Sequence, residues 1–66
     1  MSYYRVDDWA IYKPFPDEDS EILKSIEKKC LILYVYPKED FYDYKIFIDG
    51  EGKIKNVREQ YLFPFK

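Results

Sequence analysis

The sequence predicts an all-β, mainly antiparallel domain of about five short strands, and three features carry that expectation. The stretch YKIFIDGEGKIKNV, residues 44–57, sets two apolar-rich runs around Asp49-Gly50-Glu51-Gly52. Asp-Gly favours a tight turn with positive φ, and Gly52 adds a second permissive position, the chemistry of a hairpin with a bulge. Tyr42 to Asp49 alternates, with Tyr44, Ile46 and Ile48 on one face and Asp43, Lys45, Phe47 and Asp49 on the other. That period of two belongs to a strand with one face in a core. Cys30 to Tyr36 is aliphatic or aromatic throughout, so it predicts a central strand, covered on both sides or using its outer face for binding.

The remaining segments follow in chain order. Tyr3 to Tyr12, aromatic and β-branched around Asp7-Asp8, predicts a short strand after a loose start. Lys13-Pro14-Phe15-Pro16-Asp17-Glu18-Asp19-Ser20 is a loop, because its two prolines remove backbone donors and force Lys13 and Phe15 into extended conformations. Residues 20–29 favour a helical turn or short helix: Ser20 or Asp19 can cap it, Glu21 comes early, lysines come late, and Ile22, Leu23 and Ile26 share a face. A strand or extended arm is the competing reading, since the segment is too short to be a stable helix alone. Pro37 ends the central strand, and Lys38-Glu39-Asp40-Phe41 makes a polar turn. Lys53 to Val57 returns from the hairpin, Arg58 to Leu62 supplies one turn of 3₁₀ helix, and Phe63-Pro64-Phe65 closes the chain as an edge strand. No repeat or linker divides residues 1–66, which read as a single domain.

Sixty-six residues lie near the lower limit for independent folding, where a core typically leaves only about 3–5 kcal/mol of net stability. One cysteine, Cys30, excludes an intrachain disulfide, and the absence of histidine removes the common zinc arrangements. Aromatic residues, 21% of the chain, are the remaining source of core area. The single thiol points to a reducing compartment. The start at Met1-Ser2-Tyr3-Tyr4-Arg5 has no secretory pattern, and no apolar run approaches the ~20 residues of a membrane helix. A cytoplasmic protein with no membrane association is expected.

Three stretches together resemble the SH3-like small β-barrels, a group that includes KOW- and Tudor-type modules and small phage or prophage proteins. YRVDDWAIY looks like the opening strand of such barrels, with an acidic residue before the small Ala10. YDYKIFIDGEGKIKNV looks like the central hairpin, and VREQYLFPF like the closing turn and strand. The resemblance implies a small barrel of about five strands, to which this chain adds a long first loop carrying a short helix. It departs at residues 13–29, which are longer and more helical than usual, and at Val6-Asp7, where a glycine is expected. An α+β arrangement, a short helix packed on a three-stranded antiparallel meander, is the alternative.

Chemistry narrows the function further. Without histidine the chain lacks the side chain best matched to proton transfer at neutral pH. Adjacent carboxylates on a strand point to opposite faces, and Asp17-Glu18-Asp19 lacks the spacing and glycine of a calcium loop. No phosphate-binding glycine loop or nucleophile motif is present. Cys30, opening an apolar strand, reads as a small core residue. Neither catalysis nor a cofactor nor a metal is expected. Binding has better material: Trp9, Tyr12, Phe15, Tyr36, Phe41 and Tyr42, with Asp40 and Asp43, form an aromatic and acidic set suited to a basic or proline-rich protein partner. Trp9 and Phe41 are the expected exposed anchors. The frame hosts many unrelated binding roles and does not name one. The missing catalytic groups and this surface give a non-catalytic protein-binding module as the expected function. Small size with the resemblance suits a phage- or prophage-type protein that inhibits or redirects a host protein. A second reading uses Lys45, Phe47, Lys53, Lys55 and Arg58 as a nucleic-acid face, with the three lysines on one outward surface. Against it stand a net charge of −2 and the bland role of strand lysines in discouraging aggregation. A third is a structural homo-oligomer, a homodimer through Ile32, Tyr34 and Tyr36.

Overall fold

In the computed structural model, which describes residues 3–65, five strands form one antiparallel sheet in the order β4-β3-β2-β1-β5. They are β1 (Trp9–Tyr12), β2 (Lys28–Val35), β3 (Tyr44–Ile48), β4 (Lys53–Val57) and β5 (Leu62–Pro64). A one-turn helix, α1 (Glu21–Lys24), lies between β1 and β2, and a 3₁₀ turn, Glu59–Tyr61, precedes β5. Met1, Ser2 and Lys66 lie outside the described residues.

The hairpin forms as its chemistry requires. Gly50 and Gly52 take φ of 87° and 66°, and Gly52 N–H donates to the Ile48 carbonyl at 3.0 Å. Pairing then runs from Ile48 opposite Lys53 to Tyr44 opposite Val57. Alternation in β3 sends Tyr44, Ile46 and Ile48 into the core and leaves Lys45 and Phe47 half-buried on the other side. On β2 the same inward face carries Cys30 and Ile32. Ile32 pairs with Ile46 but Tyr34 with Lys45, so Leu33 is the extra residue of a bulge. Such a bulge bends its strand and increases local twist, here where the sheet curves around its core. Ala10, Tyr12, Val57 and Leu62 complete the inner face, and Tyr4 closes over Tyr44 with ring centroids 5.5 Å apart, edge to face.

The sheet is not closed into a barrel. At one edge β4 has Val57 as its single buried residue, its two lysines being exposed. At the other, β5 is three residues long and includes Pro64, which has no N–H to give. Short, lysine-bearing or proline-bearing edges of this kind resist further pairing. The α+β alternative also fails: α1 buries no residue, and the sheet has five strands. In the contested segment, Ser20 caps one helical turn by accepting the Leu23 N–H, while Lys28 and Lys29 are already strand. Among the described residues, no helix is long and apolar enough to cross a membrane.

Candidate functional site

Beside the edge strand β4, a groove of about 370 Å³ runs between Lys55–Arg58 on one side and Tyr12, Pro14 and Tyr61 on the other. Its lining comes from several separate segments. Tyr12 ends β1, Pro14 starts the first loop, Phe41 and Tyr42 form the β2–β3 turn, and Tyr61 ends the 3₁₀ turn. Lys55 and Arg58 supply its positive charge. A second groove of similar volume shares Tyr12, Pro14 and Lys55 and extends to Phe15, Lys28 and Lys53.

Backbone geometry fixes these walls. Lys13 N–H donates to the Tyr61 carbonyl at 2.9 Å, tying the first loop to the 3₁₀ turn. Asp43 ties the β2–β3 turn to the same element: its N–H donates to the Val57 carbonyl at 3.0 Å, and its carboxylate accepts the Glu59 N–H at 2.8 Å. Beneath them the Tyr44 hydroxyl accepts the Tyr4 N–H at 3.2 Å and donates to a Glu59 carboxylate oxygen at 2.8 Å. Burial pushes the Tyr44 hydroxyl above its ordinary value, and the neighbouring Glu59 carboxylate adds to the shift. The Tyr4 hydroxyl is pushed up to about 12, again chiefly by burial. Burial likewise pushes the Cys30 thiol up to about 11, so this side chain is a core residue held as the neutral thiol at physiological pH.

The sequence-derived residues divide between places. Tyr12, Phe41 and Tyr42 meet in the groove, and Phe15 borders its extension. Phe41 is two-thirds exposed, and its ring packs edge to face on Tyr42 at 4.9 Å. Tyr36 does not line the groove: its ring packs edge to face on Tyr34 at 5.0 Å, and its hydroxyl donates to the Asn56 side-chain oxygen at 2.7 Å. Asp40 lies in the exposed turn, whereas the Asp43 carboxylate is engaged with Glu59. Trp9 is exposed as expected, yet it sits on the opposite, outward face of the sheet with Leu31 as its cross-strand partner.

Two expectations about faces need correction. Lys45 pairs with Asn56, whereas Lys53 and Lys55 pair with the buried Ile48 and Ile46. Side chains opposite one another share a face, so Lys45 and Phe47 point outward while Lys53 and Lys55 lie on the inner side beside the grooves. The three lysines do not form one strip. Ile32 is fully buried, so it does not belong to a surface with Tyr34 and Tyr36. In addition, several rings already face the chain's own cations: Arg58 lies 4.7 Å from the Phe41 centroid, Lys29 4.4 Å from Trp9, and Lys55 5.9 Å from Tyr12. Pro14 and Tyr61 were missed from sequence, because only the fold shows that the first loop and the 3₁₀ turn meet.

Comparison of the chain with models of protein families, with curated proteins and with solved structures gave no match.

Proposed function

We propose that this chain is a non-catalytic protein-binding module of SH3-like arrangement, taking an extended, proline-containing segment into the groove between Phe41, Tyr42 and Tyr61. The observation that carries this reading is the convergence of rings from separate segments beside the edge strand β4. Aromatic-lined grooves suit the polyproline conformation, which is extended before it binds and so loses little entropy. The SH3-like arrangement is supported by the strand order β4-β3-β2-β1-β5 together with a 3₁₀ turn leading into the last strand. Lys55 and Arg58 favour an acidic side chain in the bound segment over a basic one, since the nearby rings already face cations of the chain itself.

Selection from a random peptide library on the immobilised chain tests this reading. Enriched peptides should contain proline and should shift the amide resonances of Tyr42, Arg58 and Tyr61. Tyr42→Ala and Arg58→Ala should each weaken binding by about tenfold or more, and Trp9→Ala should leave it unchanged. No enrichment, or resonance shifts confined to the outward face, would sink the proposal. A nucleic-acid reading retains one observation, that Lys53, Lys55 and Arg58 lie along the same adjoining grooves. It requires oligonucleotide binding that falls steeply with salt and weakens in Lys53→Ala and Lys55→Ala variants.

A further inference from the structure

We propose that the outward face of the sheet is a self-association surface, through which two copies pack face to face about a two-fold axis running across the strands. The cross-strand register places Trp9, Leu31, Phe47 and Ile54 opposite one another on β1, β2, β3 and β4. Continuing the β1–β5 register by one position brings Phe65 beside Trp9, and the Lys29 ammonium lies within 5.0 Å of both ring centroids. An apolar ribbon therefore crosses the whole outward face. Trp9 and Phe65 are each 42% exposed and Ile54 is 62% exposed. Tyr34, Ile11 and Phe63 widen the patch on either side of the ribbon.

Its size suits a second copy. The four most exposed side chains of this face leave roughly 350 Å² of mostly apolar surface, already within the range of the largest patch on a typical monomer. The half-buried residues and the polar rim bring the face to the order of the ~800 Å² per partner in a standard interface. Two such faces would stack as an aligned sandwich about 10 Å apart.

Charge selects the geometry. Lys45 stands two residues before Phe47 in β3. Asp49 stands two after it, just past the strand, where its N–H donates to the Lys29 carbonyl at 2.9 Å and continues the β2–β3 register. Among the described residues, neither Lys45 nor Asp49 makes an ion pair. A two-fold axis along the ribbon stacks Phe47 on its own copy and sets Lys45 against Asp49 of the second copy, twice. An axis parallel to the strands through β3 would instead oppose Lys45 with Lys45 and Asp49 with Asp49. An axis parallel to the strands through β2 would oppose Lys29 with Lys29. Like charges across an interface are strongly disfavoured, so the crosswise axis is favoured over either of these. Tyr12, Lys55 and Val57 of the first groove belong to the inner side of the sheet, whereas the second groove reaches Ile54 at the rim of the outward face.

The test is sedimentation equilibrium of the full chain over a concentration series, with charge variants. The chain should dimerise in the micromolar range. Lys45→Glu and Asp49→Lys should each weaken dimerisation by about tenfold or more, and the double variant should restore it to near the original value. Ile54→Lys, a change at an exposed position, should abolish the dimer while circular dichroism shows the sheet intact. A monomer at every concentration up to about 1 mM overturns the proposal. So does a dimer whose dissociation constant the single charge reversals leave unchanged, or one that the double variant fails to restore.

Discussion

The two faces of this sheet are built from similar residues and meet opposite fates. Inward, Ala10, Cys30, Ile32, Tyr44 and Ile46 have no exposed surface at all. Outward, Trp9, Ile54 and Phe65 keep two-fifths or more of theirs, although they are as apolar. Composition does not choose between the faces. Coverage does: the Tyr4 ring packs on Tyr44 and Leu62, at the start of β5, is buried on the same side, so that side becomes core, while the bulge in β2 adds curvature. Among the described residues, α1 packs none of its side chains away, and Trp9, Ile54 and Phe65 of the outer face stay exposed.

The largest expected difference between the faces comes from truncating equivalent residues. Ile46→Ala removes side-chain volume from a fully enclosed site and should cost about 2–5 kcal/mol. Against a total of about 3–5 kcal/mol for a domain of this size, that leaves much of the chain unfolded. Ile54→Ala, on the outer face of the neighbouring strand, should change stability by less than about 0.5 kcal/mol at concentrations too low for association. Urea midpoints of the two variants measure the contrast directly. Equal losses would mean that the outer face is also a closed interior in the isolated chain.

This contrast also marks how far the sequence could be read. The strands from Tyr44 to Val57 were legible because one strand alternates and the turn between them demands glycine. Cys30 to Tyr36 announced a strand but hid its orientation, since aliphatic and aromatic residues occupy both of its faces. The bulge at Leu33 was illegible for the same reason: a slipped register exchanges one apolar side chain for another. The candidate groove was half legible. Tyr12, Phe41 and Tyr42 stood out as rings next to turns, but their meeting with Pro14 and Tyr61 depends on pairings between segments far apart in the chain.

The inner face also contains a polar joint, whose loss should cost less than a missing isoleucine. Tyr44→Phe removes the hydroxyl that accepts the Tyr4 N–H and donates to Glu59, leaving a buried donor without its partner. The expected loss is about 1–3 kcal/mol, with faster hydrogen exchange at the Tyr4 amide. Tyr36→Phe, which removes an exposed hydroxyl bonded to Asn56, is the matched control and should cost less. If both variants behave alike, burial of the joint contributes nothing.

Alkali should attack the same face from within. Folding raises the Cys30 thiol from 9.0 to about 11 and the Tyr4 hydroxyl from 10.0 to about 12, because burial penalises both anions. Between those values the folded chain keeps protons that the unfolded chain has released. Stability is therefore fully present below about pH 9 and declines as pH rises toward 12. A urea midpoint that is flat from neutral pH to about 9 and then falls is the expected result. Insensitivity through pH 11 would mean that these groups reach water without unfolding.

The smallest effect is expected where the chain crosses from one face to the other. Arg5 to Asp8 form a turn that carries the backbone from buried Tyr4 to outward Trp9, closed by the Asp8 N–H donating to the Arg5 carbonyl at 3.0 Å. The Asp8 carboxylate accepts the Arg5 N–H at 2.9 Å. Asp7 occupies the third position of this turn with φ of 77°, which strains most L-residues and suits glycine. Its N–H also donates to the Ile32 carbonyl at 2.8 Å, so the strained residue is held by the central strand. Asp7→Gly relieves that strain but loosens the unfolded chain, giving a net gain of at most about 1 kcal/mol. Asp7→Val adds β-branching at positive φ and should lose about 1–2 kcal/mol. If the valine variant is as stable as the parent, the turn opens at little cost, and the crossing between the faces is set by Tyr4 and Trp9 themselves.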